Sequence, residues 1–106
     1  VEYTIVVDGA NATADMRYNY VAPAGATFVG QGTVATSATA VANCSMTGVT
    51  CSVNFTTTGQ RILKINAIVT TAGTAGTLNF QFAQNVADAS TSPVIKANSI
   101  VKFTKL

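Results

Sequence analysis

Four carboxylates, Glu2, Asp8, Asp15 and Asp88, are the whole acidic complement of this chain, and histidine is absent. That inventory restricts what the protein can do to a covalent bond. A glycosidase needs two carboxylates flanking one bond, and no acid here sits in a context that suggests such a pair. Asp8 and Asp88 lie in turn-like sequence and read as solvated loop residues. Asp15 precedes a strand-like run two residues before Arg17, which favours a surface salt bridge or a turn role. Without histidine a Ser–His triad cannot be assembled, and no motif supports Ser–Lys chemistry. The glycines follow no phosphate-binding pattern. The expectation is a non-enzymatic protein with no catalytic residues, no cofactor and no metal site.

Two cysteines, Cys44 and Cys51, bracket the segment CSMTGVTC. The spacing is not the CxxC of a zinc site. If Thr47-Gly48 forms a two-residue turn, the cysteines face each other on adjacent strands. Facing residues have Cα atoms about 4.5–5.5 Å apart, within reach of a disulfide. The alternative is two buried free thiols in a protein assembled in a reducing cytoplasm, and the spacing does not choose between them. Asn11-Ala-Thr13, Asn43-Cys-Ser45 and Asn54-Phe-Thr56 match the glycosylation acceptor pattern, as chance allows in a chain so rich in Asn, Thr and Ser.

The elements that must carry these residues are strands. At 106 residues the chain reads as one domain, 1–106, and its 48% hydrophobic content argues against disorder. Thirteen valines against three leucines, with seventeen threonines, favour strand over helix. The stretch from Arg61 to Gln84 is the clearest case. Leu63, Ile65, Ala67 and Val69 fall on one face of a first run, and Leu78, Phe80 and Phe82 on one face of a second. A period of two is the strand period. The Thr-Ala-Gly linker between the runs suits a tight connection, which predicts an antiparallel hairpin.

Similar alternation places Tyr3, Ile5 and Val7 on the inner face of a first strand, and Met16, Tyr18 and Tyr20 on that of a second stopped by Pro23 and Gly25. Residues 27–34 read as a short strand weakened by Gly30 and Gly32. Thr33 to Ala42 reads equally as an extended edge or a surface loop. Val49, Cys51, Val53 and Phe55 share one side of a further strand, and Thr56 to Gly59 a turn. Val94-Ile95 forms a short strand, and the closing run sets Val101 and Phe103 against Lys102 and Thr104. About 7–9 short strands with no competing helical window predict an all-β, jelly-roll-like antiparallel β-sandwich.

Charged residues make up 9% of the chain, against about 25% in typical soluble domains. A surface so poor in charge is tolerable where part of it is buried in an assembly, so the composition favours an oligomer. The six Lys and Arg residues are scattered, whereas nucleic-acid binding needs a concentrated basic footprint. No apolar run is long enough to span a membrane. A chain beginning at Val1 reads as processed from, or part of, something longer.

Three stretches resemble a known family. They are DMRYNYVAPAG, Asp15 to Gly25, with the pattern Asp-x-Arg-x-x-x-x-x-Pro-x-Gly; INAIVTTAGTAGTLNFQFAQN, Ile65 to Asn85; and KANSIVKFTKL, Lys96 to Leu106. Together they resemble a small β-domain of tailed-bacteriophage structural proteins, found at the ends of fibre-like or head-decorating polypeptides. The resemblance implies a jelly roll of tumour-necrosis-factor-like type assembled as a homotrimer. It implies a virion component on the outer capsid surface or at a fibre tip, bound to other virion proteins or contacting the host. Tyr18, Tyr20, Phe80, Phe82 and Phe103 then become candidates for the core or the trimer axis. The competing class is an adhesion module that binds a host-surface receptor or carbohydrate.

Overall fold

Alternating side chains build most of the elements. The computed structural model describes residues 1–8, 15–47, 50–55, 59–87, 89 and 94–105. Strand β1 (Glu2–Asp8) buries Tyr3, Ile5 and Val7, and β2 (Met16–Val21) buries Met16, Tyr18 and Tyr20. Then follow β3 (Thr27–Ala35), β4 (Val41–Met46), β5 (Cys51–Val53), β6 (Arg61–Thr70), β7 (Asn79–Ala83), β8 (Val94–Ile95) and β9 (Ile100–Lys102), with no helix among the described residues.

Two antiparallel sheets result. The larger runs β4-β3-β6-β1-β8, with β9 also on β1, and the smaller runs β5-β2-β7. Their inner faces meet in one core. Tyr3, Ile5, Val7, Val34, Met46, Leu63 and Ile65 come from the larger sheet, while Met16, Tyr18, Tyr20, Cys51 and Val53 come from the smaller. Burying side chains of this size stabilises the fold by about 1.5–3 kcal/mol each. The all-β antiparallel sandwich expected from the sequence is what the chain forms.

Partner choice departs from the expectation in two places. The runs on either side of the 71–78 linker are strands, but they are not a hairpin. β6 lies between β3 and β1, while β7 pairs with β2 in the opposite sheet. A period of two fixes which face is apolar, not which strand lies alongside. An extended residue spans about 3.3 Å and stacked sheets lie about 10 Å apart, so the linker is long enough to change sheets.

The cysteines are displaced for the same reason. Cys44 is on β4 of the larger sheet and Cys51 on β5 of the smaller, yet the two are bonded, with Cα atoms 6.0 Å apart. The disulfide therefore staples sheet to sheet rather than strand to neighbouring strand. Gly48 and Val49 lie outside the described residues, as do residues 9–14, 56–58 and Asp88, on which the turn and loop expectations fell.

The glycines of β3 do not weaken it. Gly32 sits on the inner face, where a Cβ would collide with the Tyr18 hydroxyl from the opposite sheet. At Gly30 a Cβ would come within 2.6 Å of the Ala67 Cβ on β6. Their absent side chains let β3 run nine residues close against its neighbours. Thr33 to Ala42 is both things it resembled. It ends β3, turns through Thr36–Ala40, where the Thr36 N–H donates to the Ala40 carbonyl at 2.9 Å, and opens edge strand β4.

On the far edge, β8 and β9 share β1 with a break between them. The Lys96 N–H donates to the Val6 carbonyl at 2.9 Å, and the Val6 N–H donates to Ser99 Oγ at 3.0 Å. Ser99 thus supplies by side chain what a ladder residue supplies by backbone. This explains the placement of serine in the KANSIV stretch.

Candidate functional site

The acidic side chains serve the fold. Asp15 is not at the surface: it is buried, with positive φ (51°), and its Oδ1 accepts the Phe55 N–H at 2.8 Å. Asp and Asn tolerate this left-handed backbone better than most side chains. Asp15 thereby fastens the start of β2 to the segment after β5, in place of the surface role expected of it. Asp8 is not a solvated loop residue either. It ends β1 and pairs with Lys96 Nζ at 3.1 Å. Glu2 and Lys102 form a looser pair at 3.8 Å. Both ion pairs tie β1 to the β8–β9 edge. Among the described residues no three His, Cys, Asp or Glu side chains come together as a metal site would require.

Of the five aromatic residues singled out from the sequence, Tyr18 and Tyr20 are core. The Tyr20 ring stacks on Phe28 at 4.6 Å and lies 4.9 Å from Tyr3 and 5.3 Å from Phe80. Such contacts add about 0.5–1.5 kcal/mol each beyond burial. Burial pushes the Tyr18 phenol up to about 12. It pushes the Tyr20 phenol further, reinforced by the neighbouring Tyr3 and Tyr18 phenols. The Tyr20 hydroxyl is buried without a partner in good hydrogen-bonding geometry, although the Tyr3 phenol is near enough to couple to it.

The cluster extends outward through the half-buried Phe80 to Phe82, 40% exposed, and through Tyr3 to Phe103, 66% exposed. Phe82 and Phe103 therefore lie at its two surfaced ends. Ile100 and Val101 are exposed beside Phe103 on the same edge. On the outer face of the larger sheet, Val29 and Ile68 stand directly opposite each other on β3 and β6, both exposed. Ile62 and Val41 are exposed on that sheet as well. These are large apolar side chains on a surface with few charges to dilute them.

The smaller sheet presents a different surface. Inward Tyr18 and Tyr20 leave Arg17 and Asn19 on the outer side of β2, and inward Phe80 leaves Gln81 and Ala83 on that of β7. Arg17 pairs across with Ala83 and Asn19 with Gln81. On its other flank Arg17 faces Ser52, whose hydroxyl donates to Asn85 Oδ1 at 3.2 Å. Arg17, Asn19, Gln81 and Ala83, with Thr50 and the β2–β7 strands at Tyr18, Phe80 and Phe82, line an open concavity of about 590 Å³. Alternation along β2 sets Arg17 outward, but nothing in the sequence gathers it with Gln81, because β2 and β7 meet only through sheet pairing.

No protein-family model, no curated protein and no solved structure matches the chain. The likeness to the tailed-bacteriophage domain therefore rests on the three sequence stretches themselves. The first ends β2 in a turn where the Ala26 N–H donates to the Pro23 carbonyl at 3.0 Å and Gly25 has φ 77°. The second holds the sheet-changing linker, and the third the broken β8–β9 edge.

Proposed function

We propose that this domain is a non-enzymatic structural protein of a bacteriophage virion. It acts as a homotrimer of tumour-necrosis-factor-like type, either decorating the capsid surface or forming the head of a fibre. The observation that carries the reading is the exposed apolar edge at Ile100, Val101 and Phe103 on a chain with 9% charged residues. Exposed apolar side chains grouped on one sheet edge favour association, and three copies related by a rotation axis cover one another's edges without leaving an open end. The motif resemblance supplies the virion setting.

Size-exclusion chromatography with light scattering tests the assembly. Three times the chain mass of 10.8 kDa is expected, with a shift toward monomer in Phe103→Asp. A clean wild-type monomer overturns the trimer. Incubation with emptied capsids and with host cells tests the setting, and binding to neither refutes the virion role. The second reading, a host-surface adhesion module, is favoured by the polar, arginine-bearing concavity on the smaller sheet.

A further inference from the structure

Among the described residues, Lys96 and Lys102 are engaged by carboxylates, and the Arg61 guanidinium donates to the Gln60 carbonyl. Arg17, like Lys64 and Lys105, has no salt bridge or hydrogen bond with a described residue. It projects from the middle strand of the smaller sheet, and no described acid lies on that face. Opposite it stands Ala83, too short to occupy the space above β7. One position along, Asn19 and Gln81 face each other across the same pair of strands, and neither amide is engaged by another described residue. The cavity they line lies within the roughly 300–1,000 Å³ of small-ligand sites.

We propose that this concavity binds one unit of an acidic saccharide, a sugar carrying a single carboxylate such as a sialic or uronic acid. The planar guanidinium of Arg17 matches a carboxylate with two parallel N–H donors. The facing amides of Asn19 and Gln81 both donate and accept, as vicinal hydroxyls require. One cation without a second beside it suits one negative charge, and the open shape suits the end of a glycan chain. The inference deepens the host-surface arm of the functional reading and is independent of oligomeric state. A monomer that binds acidic sugar would retain it, and a trimer that does not would lose it.

The test is a titration of the isotopically labelled domain, followed by amide chemical shifts. The probes are N-acetylneuraminic acid, glucuronic acid, N-acetylglucosamine and inorganic phosphate, each at millimolar concentration. The expected result is saturable shifts centred on Arg17, Asn19 and Gln81 with an acidic sugar, and weak or absent shifts with the neutral sugar and with phosphate. Losing a charge-assisted pair should weaken binding roughly 10- to 100-fold in Arg17→Gln. Arg17→Lys should fall between, keeping the charge but losing the fork. Gln81→Ala tests the amide arm without touching charge and should also weaken binding. Absent or non-saturable shifts, equal binding of phosphate, or unchanged affinity in Arg17→Gln with an unchanged melting temperature would each overturn the proposal.

Discussion

Reducing the Cys44–Cys51 disulfide is the sharpest perturbation of this fold, because it changes one bond and no side chain. The bond closes a ring of eight residues, from a sequence separation of seven. Chain-entropy arguments give a ring of that size about 8 cal/mol/K of lost unfolded-state entropy, or about 2.5 kcal/mol at 25 °C. A domain of 106 residues has an unfolding entropy of about 0.22 kcal/mol/K near its midpoint. The melting temperature should therefore fall by about 11 °C on reduction. Calorimetry with and without a phosphine reductant measures this, with free-thiol titration confirming that the bond has opened. Urea unfolding adds a second readout. Freed of the cross-link, the unfolded chain expands and exposes more surface, so the denaturant slope should rise while the midpoint falls. A reduced protein melting within about 3 °C of the oxidised one would refute the reasoning. It would mean that the unfolded chain already holds β4 and β5 together, or that the bond strains the native sandwich by as much as it stabilises it.

Replacing Gly32 with Ala drives a methyl into the Tyr18 hydroxyl and should cost about 1–3 kcal/mol, read from urea midpoints. Asp15→Ala removes the acceptor of the buried Phe55 N–H and should cost about 2 kcal/mol. Asp15→Asn keeps an oxygen there and should lose less than half as much, so equal losses would deny the hydrogen bond its role. Tyr18 and Tyr20 are held protonated above the ordinary phenol value of 10. Above that pH the unfolded chain releases protons that the folded chain retains, so stability is intact below pH 10 and falls as pH rises beyond it. Tyrosinate absorbance should accordingly appear together with unfolding, whereas an early, non-cooperative titration of all three tyrosines would contradict their burial.

What the sequence disclosed and what it concealed divide along the range of the interaction. The inward faces of β1 and β2 were legible because alternation along one strand is a local property, and Tyr3, Ile5, Val7, Met16, Tyr18 and Tyr20 all fall where it places them. Partners were not legible. The Ala-Gly linker after β6 has the composition of a hairpin turn, yet β1 takes the place β7 would have held. Gly32 reads as a strand breaker until Tyr18 arrives from the other sheet to fill the space above it. Asp15 reads as a surface acid because the N–H it accepts lies forty residues further on. The concavity around Arg17 depends on the same kind of distant pairing, since Asn19 and Gln81 become neighbours only when β7 joins β2.

The break between β8 and β9 has a consequence at high local concentration. A sheet edge is a row of free N–H and C=O groups ready to template another chain, and a valine- and threonine-rich sequence poor in charge is the kind most exposed to that hazard. Here the edge consists of two residues, an interruption held by Ser99, and three more, with Lys96 and Lys102 drawn across it toward the carboxylates of β1. On this edge an incoming strand finds no uninterrupted register longer than three residues on which to align. Copies at high local concentration can then touch along this edge through side chains without their backbones extending the sheet there.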